Sequence, residues 1–418
     1  MQTKRLSILS FGPQPVFPAT DGGKEGIYGA LQALAKQCDI IYAFPAGGAE
    51  VNTEGYALAG IEALPVHWSA QEDIGLILSS LCRLKPYKFD KYSCKAAIDT
   101  FAAALRGRTV DAILCFHAHT ARLGQGVAAV LGVDVPVLVR EHNIEYELVA
   151  SYRRSLGPVK RLAALPFELV TRREEQRIWQ DAAAIAFLSD QDLATARSSC
   201  SSGRFVLARE GVPIPARREI HHPGPDAPLL ILLNPKAAQS VANLKEFLYR
   251  YWADAVSDPR LAGTFLQVTG VSTVQLASLV GIEASRLNDL RVQGLGFVDD
   301  LSSVFSAALA LVSPTFVGGG IRKKVLEAMA HQVPVIATRF DINVCSYFSA
   351  GTNILDMQDK ESFCVSVARL KSEPAFWNQL AQAGRLTVEE HANWDQCATT
   401  IVQKMNELLA SRQGVTKN

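Results

Sequence analysis

Short apolar runs alternate with longer amphipathic or alanine-rich stretches along most of the chain. In the first half the runs at residues 6–9, 40–44, 112–116, 135–139 and 184–188 read as strands. Residues 26–36, 93–105 and 161–179, lying between them, read as helices. Repeated strand–helix alternation predicts a parallel sheet covered by helices on both faces. The pattern then breaks. Residues 213–228 hold Pro213, Pro215, Pro223, Pro225 and Pro228. Proline at that density fits neither a helix interior nor a central strand, so the segment reads as a linker. After it the alternation restarts, with strands at 229–233, 265–268, 308–312 and 333–337. Helices follow at 241–256, 300–307, 322–331 and 360–371.

The expected organisation is therefore α/β, with a first domain over 1–212, a linker over 213–228 and a second domain over 229–393. No internal repeat or low-complexity tract is evident.

At 418 residues and 48% hydrophobic, the chain is long enough for two sizeable cores. A formal net charge of +1 argues against a dedicated nucleic-acid binder. No apolar run approaches the roughly 18–20 residues that span a bilayer. The first ten residues are too short an apolar segment for a secretory signal and read as a first strand. The eight cysteines are scattered and form no C-x-x-C pair. That usage fits core residues in a reducing compartment, and a cytoplasmic location is expected.

The densest chemistry lies at 311–338, LVSPTFVGGGIRKKVLEAMAHQVPVIAT. A strand ends near Ser313, Pro314 breaks it, and Gly318, Gly319 and Gly320 precede a helix from about Ile321 to His331. A strand, a glycine-rich turn and a helix start together form an anion site, because first-turn amides point outward and the macrodipole favours negative charge. Arg322, Lys323 and Lys324 add cations there. Glu327 falls about two turns into the helix on the face of Gly320, where a carboxylate can accept both hydroxyls of a ribose diol. Phosphate at the helix start and a diol acceptor further along suit a nucleoside diphosphate. A plain tight turn, with Lys323 or Lys324 pairing to Glu327 at helical spacing, is the competing reading.

This stretch resembles the donor-binding signature of the retaining GT-B glycosyltransferases of family 4, the glycosyl transferases group 1. Weaker resemblances extend along nearly the whole chain. Ala19-Thr20-Asp21-Gly22-Gly23 is similar to the family's N-terminal glycine-rich acceptor loop. Arg140-Glu141-His142-Asn143-Ile144-Glu145 resembles an H-N-x-E element of one subgroup. Gly294-Leu295-Gly296-Phe297-Val298-Asp299-Asp300 resembles the G-F-V-x-D element ahead of the donor loop. Gly319 stands where the family often has an earlier glutamate, which removes a contact to the donor sugar. Lys236 is the best substitute for a basic pair that usually follows the first C-terminal strand.

The resemblance implies a GT-B architecture, two Rossmann-like α/β domains separated by a cleft, with a final helix near 394–410 returning to the first domain. It implies a metal-independent, retaining hexosyl transfer from a nucleotide diphosphate sugar to a hydroxyl of a glycan or lipid-linked glycan, in cell-surface polysaccharide synthesis. His142, Arg322 and Lys324 are then the catalytic groups. Glu327, Gly318, Gly319, Gly320, Ile321, Lys323, Phe297, Val298 and Lys236 bind the donor. Gly22, Gly23, His119 and Asn143 face the sugar and acceptor. The nucleotide sugar is a substrate, and no cofactor, metal or nucleic acid is expected. An epimerase or glycan phosphorylase on the same scaffold, or a non-catalytic partner protein, are the alternatives. No G-x-G-x-x-G opens the first strand–helix unit, against a dehydrogenase.

Four further features carry two readings each. His142 either faces the donor sugar or caps the next helix with Asn143; His117 and His119 either line the acceptor cleft or are loop histidines. Asp190-Gln191-Asp192 either holds a metal or, with Ser189, begins a helix. The basic stretches 81–95 and 148–177, with interleaved aromatics, either meet an anionic membrane surface at the inner face or are solvated helix faces.

Overall fold

The first half of the chain forms seven strands, five of them on the predicted apolar runs: β1 (Ser7–Phe11), β2 (Asp39–Pro45), β3 (Ile61–Val66), β4 (Ala112–Phe116), β5 (Val137–Glu141), β6 (Ala184–Phe187) and β7 (Phe205–Leu207). In the computed structural model, which describes residues 5–48, 50–68, 79–80, 83, 85–201, 203–217, 219–317 and 321–415, they form one sheet in the order β3-β2-β1-β4-β5-β6-β7. Every pairing in it is parallel. Both β4 and β5 are buried along their whole length, as helices on both faces require. The second half forms β8 (Leu229–Leu232), β9 (Leu266–Thr269), β10 (Val271–Ser272), β11 (Val292–Gly296), β12 (Ala310–Ser313), β13 (Val335–Ala337) and β14 (Leu355–Asp356). Their order is β10-β11-β9-β8-β12-β13-β14, parallel except for the β10–β11 pair.

The chain divides into two units, Met1–Gly211 with Trp394–Asn418, and Val212–Asn393. Each has apolar clusters on the two faces of its sheet: one around Phe101, Trp179 and Phe187 and one around Tyr42, Phe44 and Ile401 in the first. Phe247, Trp252 and Phe363 anchor one face of the second, Val325, Met329 and Val335 the other. The last helix, Trp394–Val415, packs along helix Gly22–Ala35 in the first unit, with Lys36 Nζ 2.7 Å from Asp395 Oδ1.

Several elements differ from the expectation. β3, β7, β10, β11 and β14 were not expected. Four of them are edge strands and β11 lies beside one, where no continuous apolar run is needed; β3 carries Glu62 and Pro65. Helix Ala118–Leu131 was also missed, because Gly124 and Gly126 weaken its sequence signal. Packing demands Gly124: a Cβ there would come within 2.5 Å of Cys115 Sγ. Helix Lys323–Ala330 begins two residues later than expected, so Glu327 sits little more than one turn inside it. The proline-rich segment is no free tether. Arg385 Nη2 donates to the Pro215 carbonyl at 2.6 Å and His222 Nε2 lies 2.7 Å from the Leu370 carbonyl, binding the segment to helices Lys360–Ser372 and Pro374–His391. Six described cysteines are buried and Cys94 is half-buried, all of them free; Cys82 lies outside the described residues.

Candidate active site

In the second sheet the strand order reverses between β8 and β12. Ligands of open parallel sheets collect at the C-terminal strand ends at such a point. The chain leaves β12 at Ser313 and enters helix Lys323–Ala330 after Gly318, Gly319 and Gly320, three sequence-predicted residues that lie outside the described ones. The approach is clamped by Asn243 of helix Ala238–Phe247. Its Oδ1 accepts from the N–H groups of Phe316 and Val317, each at 3.0 Å, and its Nδ2 donates to the Val317 carbonyl at 2.9 Å. An asparagine within an amphipathic helix belongs to no motif, which is why sequence reasoning passed over it.

The helix start is dense with cations. Arg322 occupies the N-cap position, where no side chain caps the helix. Its Nε donates to Asp341 Oδ1 at 3.0 Å, and Asp341 Oδ2 in turn accepts from Ser313 Oγ at 2.5 Å. Burial pushes the Asp341 carboxyl up, against the opposing pull of Arg322. Lys324 Nζ lies 3.5 Å from the Leu232 carbonyl at the end of β8. Burial lowers its ammonium to about 8, opposed by Asp341. Lys323 Nζ stands 3.9 Å from Glu327 Oε1, so the helical pair expected on the plainer reading is present. The structure thus gathers Arg322, Lys323 and Lys324 at the positive end of a helix dipole. A cavity of about 360 Å³ in this unit lies at the other end of the same helix, lined by Phe305, Ala330 and His331 and by the proline-rich segment, so it is separate from this site.

The remaining expected donor residues are spread over loops of the second unit. Lys236 is exposed on the turn after β8, its N–H donating to Asn234 Oδ1 at 3.1 Å. Phe297, after β11, is 82% exposed and Val298 half-buried. Ile321 packs partly against the core beneath the helix.

The first sheet reverses between β1 and β4. Here the C-terminal edge carries an internal network. Arg140, fully buried in β5, donates from Nη1 to His142 Nε2 at 2.9 Å and from Nη2 to Glu210 Oε2 at 3.3 Å, and lies 5.7 Å from the Trp394 ring centre. A guanidinium only donates, so His142 accepts at Nε2 and is neutral with its proton on Nδ1. Burial, then His117 and Arg140, hold the imidazole well below its ordinary range. His142, His117 and His119 run in a row, with ring centres 4.3 Å and 4.9 Å apart. Helix Gly22–Ala35 comes close to this row: a Cβ on Gly26 would lie 2.7 Å from Glu210 Oε1 and 3.4 Å from His142 Cε1. Gly22 and Gly23 begin that helix and are exposed; a Cβ on Gly22 meets nothing within 4 Å, so protein packing does not demand a glycine there. Asn143, beside His142, is half-buried.

Deeper lie Glu141, Glu145 and Glu175. Glu141 accepts from the Ala118 N–H at 2.9 Å and from Trp179 Nε1 at 3.0 Å, and burial pushes it up to about 8. Burial, with the charge of Glu141, also pushes Glu175 well up. Burial alone would also raise Glu145, but His119 and Lys88 outweigh it and hold that carboxylate below its usual range. Arg140 and Glu141 end an otherwise apolar strand, and such buried charges are the signal that could have flagged this network.

At four places the structure decides between the readings the sequence left open. His142 does not cap the following helix: the N-cap of Glu145–Ser155 is Ile144, and Glu175 accepts the N–H groups of Glu145 and Tyr146 at 2.7 and 3.0 Å. His119 is neither an open acceptor-facing group nor a loop histidine; it is 3% exposed, in the first turn of helix Ala118–Leu131, against Tyr92. Asp190 and Asp192 do not act together: Ser189 caps the helix by accepting the Asp192 N–H at 3.0 Å, while Asp190 takes Arg209 at 3.1 Å. In the basic stretch 81–95, Arg83 and Lys85 face Asp90 at 2.6 and 3.9 Å and Lys88 faces Glu145, so much of its charge is matched within the fold.

The model of the family described as glycosyl transferases group 1 matches residues 246–373, which include β11, β12 and helix Lys323–Ala330. A search of curated proteins finds no match. Among solved structures, sucrose-phosphate synthase from Thermosynechococcus elongatus aligns with 97% of this chain and 100% of its own, at 17% identity and a TM-score of 0.69. HepE from Anabaena, in complex with UDP and glucose, aligns over 96% of this chain and 100% of its own (12% identity, TM-score 0.63). The lipopolysaccharide outer core galactosyltransferase WaaB, in its apo form, does so over 97% and 100% (13%, 0.61). The fold is thus the GT-B architecture of two Rossmann-like α/β units. Together with the family match it supports a glycosyltransferase. Among the described residues no helix is long and apolar enough to cross a membrane.

Proposed function

We propose that the protein moves a sugar from a nucleotide diphosphate sugar to a hydroxyl of a glycan or glycolipid, retaining the anomeric configuration and using no metal on the diphosphate. The observation that carries this reading is the gathering of Arg322, Lys323, Lys324 and Glu327 at one helix start beside the β8–β12 reversal, inside the segment the family model matches. Negative charge grows on the leaving diphosphate as the glycosidic bond breaks. Arg322, oriented by Asp341, and Lys324 would meet that charge, where preorganised donors accelerate reaction most. Glu327 would accept the ribose hydroxyls. Phe297 and Val298 are exposed and half-buried beside β11, suited to a base, and Lys236 flanks β8. In the first unit, His142 and Asn143 with the Gly22–Gly23 loop would serve the sugar and the acceptor, His142 as a neutral hydrogen-bonding group. No nucleophile is assigned, in keeping with front-face substitution.

A lipid-linked acceptor or membrane surface is supported by helices Glu145–Ser155, Pro158–Ala163 and Leu165–Asp181. They expose Tyr152, Val159, Leu162, Phe167 and Leu169 beside Lys160 and Arg161. Apolar and cationic groups so mixed suit an anionic interface at the cytoplasmic face.

The test is thermal shift against UDP, GDP, ADP and dTDP sugars, with wild type beside Glu327→Ala. HepE is bound to UDP-glucose in one structure, so the UDP sugars come first. One nucleotide class should stabilise the wild type and act about 10- to 100-fold more weakly on the variant, the loss of roughly 1.5–3 kcal/mol of charged hydrogen bonding. Stabilisation by none would reject the donor site. The anomeric configuration of the product, read by NMR, tests retention.

A further inference from the structure

The cavity of about 360 Å³ in the second unit lies at the end of helix Lys323–Ala330 away from its cationic start. An eight-residue helix is about 12 Å long, so the two places are separate. The cavity walls come from that helix end, from helices Leu301–Ala307 and Pro374–His391 and from the proline-rich segment. We propose that this cavity binds a neutral saccharide of one or two rings, free or as part of a glycan. The inference stands whether or not the donor site does, since no residue of that site lines the cavity.

A strained side chain is the first argument. Gln332 has φ +59°, the left-handed conformation that L side chains adopt at a cost. The helix end imposes it. The Gln332 N–H donates to the Met329 carbonyl and the Val333 N–H to the Ala328 carbonyl, each at 2.9 Å, a pattern whose left-handed position glycine usually fills. Glycine would serve the backbone better, yet an amide side chain stands there and lines the cavity. Strain of this kind collects where binding requires it. Rigid walls are the second argument. Trp377 Nε1 donates to the Leu309 carbonyl at 2.7 Å. His222 Nδ1 accepts the Gly224 N–H at 3.1 Å, so the ring donates from Nε2 to the Leu370 carbonyl at 2.7 Å and is neutral. Arg385 is held by the Pro215 and Ala330 carbonyls and by Glu389.

Wall chemistry selects the ligand. An anion is opposed by Glu219 and by the negative end of helix Lys323–Ala330, and a cation by the Arg385 guanidinium. A neutral ligand remains. Phe305, stacked on His331 with ring centres 4.8 Å apart, and Trp377 supply flat apolar wall. Ser302 and Ser306, one helical turn apart, join Gln332 as neutral polar groups around it. Ser306 Oγ donates to the Ser303 carbonyl at 2.8 Å and keeps its capacity to accept. A sugar ring matches such walls, with C–H groups on its faces and hydroxyls at its rim. A wholly apolar ligand would leave the hydroxyls and the amide unmet. The volume falls at the small end of the roughly 300–1,000 Å³ of ligand sites, as one or two rings require.

The test uses the full chain, with saturation-transfer NMR and calorimetry against glucose, galactose, mannose, N-acetylglucosamine, maltose, cellobiose and their hexasaccharides maltohexaose and cellohexaose. Saturable binding is expected, selective for one sugar stereochemistry. Binding of the small sugars marks a free saccharide as the source; binding of a hexasaccharide alone marks a glycan. Ser306→Leu, which fills the cavity from an exposed position, should weaken binding about 10-fold or more, the loss of a well-placed polar contact and of space. Gln332→Gly should weaken it similarly while raising the melting temperature by roughly 2 °C, because the strain is relieved. Glu327→Ala should bind saccharide as the wild type does. No saturable binding by any of these sugars would overturn the proposal. So would binding that Ser306→Leu and Gln332→Gly leave unchanged, or that Glu327→Ala abolishes. A lower melting temperature in Gln332→Gly would also overturn it, by giving that side chain a purely structural role. Binding of uridine or adenosine in place of the sugars, lost in the same two variants, would replace the saccharide by a nucleoside.

Discussion

The two sheets reverse strand order in the same way, yet their C-terminal edges use charge for opposite ends. In the first unit, charge is turned inward. Arg140 is fully buried between His142 and Glu210, Lys88 covers Glu145, and Glu141 and Glu175 are pushed toward their neutral forms. In the second, Arg322, Lys323 and Lys324 gather at the positive end of a helix, with Asp341 beneath them. An inward, matched network is tied to folding, because a buried charge that loses its partner is costly. A cationic helix start suits an anion, because the helix dipole adds to its charges. Similar topology therefore does not imply similar chemistry. On the proposed reading the first edge meets neutral hydroxyls and the second a diphosphate.

The comparison breaks if removing charge from the first edge leaves folding intact. Arg140→Ala removes the partner of buried Glu210 and should destabilise the protein by about 3–5 kcal/mol in urea unfolding. Lys324→Met, in the second unit, should not destabilise the protein, because it removes a charge that burial disfavours, but should lower turnover about 10²- to 10³-fold, as loss of a transition-state donor does. Its pH signature sharpens the point. The folded chain loses the Lys324 proton near about 8, while the unfolded chain keeps it to 10.5. Between those values only the unfolded chain holds the proton, so this group makes wild-type stability rise with pH. Lys324→Met should lack that rise, and wild-type donor binding should fall as pH passes about 8. Glu327→Ala comes next, at roughly 1.5–3 kcal/mol in nucleotide affinity with little change in melting. The smallest effect is expected at Asn243. Its three hydrogen bonds to a part-exposed loop should be worth about 1 kcal/mol, seen as a roughly fivefold rise in KM for the donor in Asn243→Ala.

What could be read in advance follows from how local each signal is. Central strands such as β4 were legible because burial on both faces forces a continuous apolar run. The edge strand β3, covered less completely, carries Glu62 and Pro65 and gave no such run. The second site was legible from one stretch, since strand, glycine turn, cations and Glu327 are neighbours in sequence. Asp341 and Asn243, which hold that stretch, come from other helices and carry no pattern of their own. His142 was visible as a candidate, but its neutral state depends on Arg140 pointing at it, and Arg140 is itself held by Glu210, 70 residues further along the chain.

From the sequence alone, then, came the α/β class, the break at the prolines and the cationic helix start after a glycine-rich turn, because periodicity, proline chemistry and local charge act over a few residues. Only the tertiary structure decided which charges are buried and against what. It placed His117, His119, Glu145 and Lys88 within reach of one another, residues brought from separate elements. Protonation and hydrogen bonding depend on distances between such groups, and the chain determines those distances only once it has folded.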